Sequence, residues 1–326
     1  RSLWKRLKFY GTQTGVYQMI YMNRIRKVVS DLEQAFPLSV YIEPTNLCNA
    51  HCGTCARNIM TRKKGIMEMG LYRDVVNECA ELGVQYVVLQ MFGEPFIDPT
   101  FLDKARYAKE KGLRTSIFTN GSLLDRDKTE MIVQEGLLDH MVISIDGVNE
   151  DEFKKNRSAL DFHQIERNVL DLARCRDSAK RSIPSINIHC NHLPGVRYDV
   201  SGFLNKWESI ADSVSFTPTR DWAGQMPGIS TIEKRDKKFP CFLLWHQFYV
   251  LWDGSVTFCS IDFDGRHVLG NVRQQSLESL WTGKVMESLR EQHLQGKMND
   301  HKLCGNCIYS THEKTWWWHD PVDLLF

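Results

Sequence analysis

The stretch Cys48-Asn49-Ala50-His51-Cys52-Gly53-Thr54-Cys55 sets three thiols at C-x3-C-x2-C spacing, just after the β-rich run Leu38–Glu43. Three thiolates so spaced hold a four-iron cluster and leave one iron without a protein ligand, open to a substrate or cosubstrate. Cys241, Cys259, Cys304 and Cys307 follow in the second half, the last two as a C-x2-C pair. Four thiolates can saturate a second [4Fe-4S] cluster, whose natural role is then electron transfer. An open and a closed cluster in one chain is the pattern of a redox-driven radical enzyme. The C-x2-C pair taken alone also suits a structural zinc; the first group argues for iron by association. Disulfides suit short secreted chains, and this chain is neither short nor visibly secreted. Cys79, Cys175 and Cys190 read as buried free thiols.

Outward from that loop, β-rich runs alternate with amphipathic helices. Strands are expected at Leu38–Glu43, Gln85–Met91, Arg114–Phe118, Met141–Ile145, Ser185–Cys190 and Ser213–Thr217. Helices are expected at Leu71–Leu82, Phe101–Lys111, Asp125–Glu135, Phe162–Arg174 and Tyr198–Ile210. This rhythm implies an α/β fold with a parallel sheet and helical crossovers. Six units are too few for a closed eight-stranded barrel, so a curved, partial (β/α)6 barrel over residues 38–220 is expected. Its chemistry belongs just past the strand ends. Residues 1–37 read as an N-terminal helical arm that packs on the body or rests on a membrane surface. Residues 221–240 read as a polar linker. In the 241–326 unit, Phe248–Trp252 and Val256–Cys259 flank Asp253-Gly254, a hairpin signal, and Leu277–Leu294 reads as a helix. That unit has little core of its own, and a metal staple would help it fold.

The 326 residues suffice for one large core, or a large domain with a smaller one. A formal net charge of +1 gives no case for nucleic acid as partner. No apolar run approaches the roughly 20 residues of a transmembrane helix, and no signal peptide is visible at the start, so a cytoplasmic location is expected.

The cysteine loop after the first strand resembles that of the radical S-adenosylmethionine (SAM) superfamily. Further similarities follow in order over roughly residues 38–220. Phe92-Gly93-Glu94-Pro95 stands where that family holds the methionine amine of SAM; glycine lets the ligand approach the backbone and a carboxylate pairs with an ammonium. Thr119-Asn120-Gly121 and Ser144-Ile145-Asp146-Gly147 end the next two strands. The Ser144–Gly147 run resembles the family segment near the ribose and carboxylate of SAM. Two departures stand out. Thr54 replaces the aromatic residue often found before the third cysteine, and the usual glycine pair is reduced to Phe92-Gly93. The tail, with Gly270-Asn271-Val272, Leu280-Trp281 and Cys304-x2-Cys307, resembles the SPASM/Twitch subgroup. No cysteine follows Cys307, which resembles the shorter Twitch form with one auxiliary cluster. The resemblance implies two [4Fe-4S] clusters, one binding SAM and one auxiliary, and an electron donor such as flavodoxin or ferredoxin.

It also implies a reaction. Reductive cleavage of SAM yields a 5′-deoxyadenosyl radical that removes hydrogen from an unactivated carbon. If that carbon bears a hydroxyl, proton loss gives a reducing ketyl radical, and the closed cluster takes its electron. The resemblance thus points to dehydrogenation of a small carbohydrate or cyclitol-like alcohol. Arg220, just past the last barrel strand, and His189, in the alternating set Asn187, His189 and Asn191, are the candidates to assist deprotonation. Peptide modification is one alternative. Epimerisation with Cys190 as hydrogen donor is another, and a zinc-stabilised scaffold a third. Trp316-Trp317-Trp318 reads as packing.

Overall fold

The computed structural model describes residues 36–37, 39–231, 240–241 and 243–308. The arm before Phe36, part of the polar linker and the tryptophan run lie outside the described residues.

Six parallel strands run β1 (Ser39–Ile42), β2 (Tyr86–Val88), β3 (Arg114–Thr119), β4 (His140–Ser144), β5 (Ser185–His192) and β6 (Ser213–Pro218). Helices Met69–Glu81, Phe101–Glu110, Arg126–Glu135, Phe162–Ser178 and Val200–Trp207 make the crossovers. This is the expected partial (β/α)6 barrel. The helix-facing side chains Val40, Val87, Ile117, Ile143, Ile186 and Ile188 are fully buried in the main core. Successive strand residues point to opposite faces, so Tyr41, Tyr86, Val88 and Phe118 turn inward as a separate apolar group. Alternation is clearest on β5. Ile186, Ile188 and Cys190 pack under the helices, and Asn187, His189 and Asn191 face the other way.

The C-terminal unit is not a detached domain. Its first strand, β7 (Gln247–Val250), pairs in parallel with β1, matching Tyr41 to Tyr249. β8 (Ser255–Thr257) and β9 (Val268–Asn271) extend it antiparallel, completing one nine-stranded sheet in the order β6-β5-β4-β3-β2-β1-β7-β8-β9. The Asp253-Gly254 hairpin joins β7 to β8. Phe36 closes the far side, its ring 6.0 Å from Phe248 and 5.9 Å from Trp281. The expected helix Leu277–Leu294 is broken into Leu277–Trp281 and Lys284–Leu294, with Gly283 as the second helix's N-cap.

Glu150–Arg157 is a helix that apolar periodicity does not reveal, because Phe153 is its only large buried apolar residue. Its signals are electrostatic. Asn149 caps the start by accepting from the Glu152 amide; Glu150, Asp151 and Glu152 fill the first turn, and Lys154, Lys155 and Arg157 the last.

Candidate radical SAM active site

The cysteine loop has little apolar surface to bury, and buried polar groups fasten it instead. Glu43, at the end of β1, is fully enclosed; Arg62 donates to its two oxygens at 2.8 and 2.5 Å, and the amides of Phe92 and Trp252 donate at 3.3 and 3.2 Å. Burial pushes the Glu43 carboxyl up, against the opposing pull of Arg62. Asn46 donates to the Lys63 carbonyl at 2.9 Å and accepts from the Gly65 amide at 2.9 Å, closing the loop's base. Arg57 donates to the Ala50 carbonyl at 2.6 Å between the cysteines.

Helix Glu150–Arg157 presses its end on the other side of the loop. The Asn156 carbonyl accepts from the Gly53 amide, and its side-chain oxygen from the Thr54 amide and hydroxyl, all at 3.2 Å. Arg157 donates to the Cys52 sulfur at 3.5 Å. Burial works against the Arg157 charge, but Asp146 and the Cys52 thiol outweigh it and raise its pKa.

A cavity of about 620 Å³ opens over the loop, in the size range of small-molecule sites. Cys48, Cys52 and Cys55 line one end, and Gly93, Glu94, Asn120 and Ser144 the adjoining wall. Gly93 has φ +117°, and a β-carbon there would lie 2.5 Å from the Thr45 carbonyl oxygen and 2.7 Å from that of Leu47. The glycine therefore admits the close approach of the backbone that leads into the cysteine loop, while it also lines the cavity. Glu94 lines the cavity with a carboxylate already engaged: Thr119 Oγ1 donates at 2.6 Å and the Asn120 amide at 2.7 Å. Burial pushes that carboxyl up. Asn120 donates to Asn49 Oδ1 at 2.9 Å, tying β3 to the loop. Asp146, expected beside SAM, is fully enclosed and is not among the cavity-lining residues. Its oxygens accept from Arg157 Nε at 2.7 Å, Asn156 Nδ2 at 2.5 Å and the Asn191 amide at 2.8 Å.

The opposite wall is a polar ladder across β5 and β6. Asn187 donates to Ser213 Oγ at 2.6 Å and accepts from Ser215 Oγ at 2.9 Å. His189 Nε2 lies 2.7 Å from Thr217 Oγ1, whose proton goes to Asn191 Oδ1 at 3.3 Å. Thr217 therefore accepts from Nε2–H, which leaves the lone pair of the neutral imidazole on Nδ1. That atom is buried without a hydrogen-bond partner among the described residues. Burial lowers the His189 pKa to about 4.

Sequence patterning missed Trp222. It lies in the stretch expected to be a linker, lines the cavity, and donates its indole N–H to the Thr54 carbonyl at 2.9 Å. Its ring sits 5.6 Å from Phe92 and 6.4 Å from Phe263. Trp222 and Ala223 both have positive φ, at +54° and +58°, a conformation that costs non-glycine residues about 1–3 kcal/mol. The positive φ at these two non-glycine residues lies beyond what sequence patterning registers.

Cys241, Cys259, Cys304 and Cys307 line a second, apolar cavity with Leu244, Phe258, Ile261 and Leu303. Burial pushes Cys241 up to about 12 and Cys55 up to about 11, and raises Cys259 further. Such thiols take up charge only with a metal to receive it. Yet among the described residues no three His, Cys, Asp or Glu side chains gather closely enough for a single ion. Four cysteines lining one cavity supply the number of ligands that saturates a cluster. Arg220 lines the larger cavity; the thiols of Cys307 and Cys259 and the hydroxyls of Tyr249 and Tyr41 favour its charge, against a larger lowering by burial.

Residues 42–181 match the family model of the radical SAM superfamily, and residues 241–308 match SPASM, an iron-sulfur cluster-binding domain. The chain carries a radical SAM domain followed by a SPASM domain. Its cofactors are SAM, a SAM-binding [4Fe-4S] cluster and an auxiliary cluster in the SPASM region. It is 33% identical over 122 residues to Fe-coproporphyrin III synthase of Methanosarcina barkeri, covering 36% of this chain and 30% of that protein. The chain thus aligns with roughly a third to a half of the length of the curated relatives it matches. The structure of BtrN in complex with AdoMet and 2-DOIA superposes with TM-score 0.57 at 16% identity, over 83% of this chain and 93% of that one. Streptococcus suis SuiB bound to precursor peptide SuiA superposes with TM-score 0.65 at 14% identity, over 85% and 72%. Both likenesses concern the fold. Among the described residues no helix is long and apolar enough to cross a membrane.

Proposed function

We propose that the chain is a radical SAM oxidoreductase that oxidises a secondary alcohol of a small carbohydrate or cyclitol-like molecule. When bound, the cofactors supply a hydrogen-abstracting radical at the three-cysteine loop and an electron acceptor at the four-cysteine cavity. Cys48, Cys52 and Cys55 would hold the first cluster, and Cys241, Cys259, Cys304 and Cys307 the second. Gly93, Glu94, Asn120 and Ser144 border the space for SAM. The observation that carries the reading is the β5–β6 ladder. Its uncharged amide and hydroxyl groups are ordered by their own hydrogen bonds and suit the hydroxyls of a polyol. To His189, the neutral imidazole of the ladder, we assign receipt of the hydroxyl proton. Arg220 stabilises the developing oxyanion.

Cys190 weighs against epimerisation. It is fully buried on the helix-facing side of β5, its thiol pushed far up, and among the described residues only the three loop cysteines bring thiols to the cavity. A peptide substrate is the second reading, favoured by the likeness to SuiB. A flavodoxin or ferredoxin as electron donor and a cytoplasmic location complete the proposal.

The test uses oxygen-free, reconstituted protein with SAM, dithionite and separate panels of cyclitols, amino sugars and peptides. The expected product is a ketone lacking the mass of one hydrogen molecule. Cys307→Ala should still cleave SAM but form no ketone. A product of unchanged mass, or full ketone turnover by Cys307→Ala, overturns the reading.

A further inference from the structure

Asp146 and Arg157 are buried charges behind the cluster loop, and Arg157 also lines the cavity. Asp146 is fully enclosed, and Arg157 is only 7% exposed. Asp146 holds Arg157 Nε at 2.7 Å, and Asn156 and the Asn191 amide bond the same carboxylate. With Nε so fixed, the planar guanidinium carries its Nη1 to within 3.5 Å of the Cys52 sulfur. Asn156 meanwhile grips Gly53 and Thr54, which fixes the sulfur relative to the guanidinium.

We propose that the Asp146–Arg157 pair is a positioning device that sets the reduction potential of the SAM-binding cluster through an N–H to sulfur bond at Cys52. Reduction adds one electron to a cluster whose thiolates are already anionic. A fixed cation and donor at a ligand sulfur stabilise that reduced state, and hydrogen bonds to the sulfurs are among the factors that set such potentials. The carboxylate's role is geometric, since it fixes the donor without itself meeting the sulfur.

The test is an EPR-monitored redox titration of the reconstituted protein with both clusters loaded, following the SAM-responsive signal. Arg157→Gln should weaken reduction of the first cluster at least tenfold, a midpoint at least 59 mV more negative for one electron. The auxiliary midpoint should stay in place as an internal reference. Arg157→Lys, which keeps the charge but loses the planar fork, should recover part of the shift. Asp146→Glu keeps both charges and every cysteine but displaces the guanidinium, and should shift the midpoint in the same direction even if Arg157→Gln cannot retain its cluster. Overturning results are an unchanged first-cluster midpoint in the variants that retain it, or equal shifts in both clusters.

Discussion

Gly93→Ala tests whether the glycine serves the loop backbone or a ligand. A β-carbon at Gly93 would sit 2.5 Å from the Thr45 oxygen, 2.7 Å from the Leu47 oxygen and 2.9 Å from Asn46 Cα, all of them backbone atoms. Ordinary contact begins near 3.4 Å, so the segment before Cys48 must retreat by about 1 Å. Metal ligation tolerates only about 0.2 Å. The φ of +117° adds about 1–3 kcal/mol of backbone strain, and the overpacking about 1–3 kcal/mol more. Gly83→Ala is the control, because Gly83 also has positive φ, at +75°, but nothing lies within 4 Å of its β-carbon. It suffers the strain without the clash. Iron analysis after anaerobic reconstitution should give about eight irons per chain for the wild type and Gly83→Ala, and about four for Gly93→Ala, as only the auxiliary cluster survives. Full iron in Gly93→Ala, or equal loss in both variants, refutes the reasoning.

Trp222→Leu loses the indole bond to Thr54 and the ring packing on Phe92 and Phe263. It should cost about 1–3 kcal/mol and lower Tm by several degrees in anaerobic calorimetry; an unmoved Tm would show that the clamp contributes nothing. His189 gives an acid-side effect. Its folded pKa of about 4 lies below the ordinary 6.5, so the unfolded state binds the proton first and stability falls as pH drops from about 6.5 towards 4. Its share between pH 7 and pH 5 is about 2 kcal/mol, read by anaerobic urea unfolding. His189→Gln should flatten the profile by that amount, and identical slopes in the two proteins would contradict the burial argument.

The barrel was legible because its strands and helices carry opposite periodicities. In Ser185–His192 the alternation of Ile186, Ile188 and Cys190 with Asn187, His189 and Asn191 shows which side meets the helices. The helix Glu150–Arg157 was not legible from apolar residues, since it is held by its cap, its charge gradient and its bonds to the loop. The β1–β7 pairing could not be read from local pattern, because parallel partners far apart in sequence leave no turn signal between them. The cysteines stood out by spacing. Glu94 and Asp146 stood out as carboxylates past strand ends, but a carboxylate's partners are set in three dimensions, and Asp146 is satisfied by Arg157, Asn156 and Asn191.

The continuity of the sheet bears on how two redox sites work together. Cys48 follows β1, whereas Cys259 follows β8, two strands away and antiparallel to β1, so the two thiols lie toward opposite ends of the strands. The sheet therefore separates the two thiol sites along the strands as well as across them. Glu43 reinforces the β1–β7 pairing. Placed at the end of β1, it bonds Arg62 of the first cysteine loop and the amide of Trp252 just past β7, so one carboxylate spans both sides. The register matters as much as the spacing. Tyr41 opposite Tyr249 puts both rings on the inward face, 5.0 Å apart, with their hydroxyls among the groups that act on Arg220. A slip of one residue between β1 and β7 would turn Tyr249 out and bring Phe248 or Val250 in, replacing a polar wall by an apolar one. The joining of the two units into one sheet and the chemistry of the wall beside Arg220 therefore follow from a single strand pairing, a constancy that a flexible tether between separate domains could not supply.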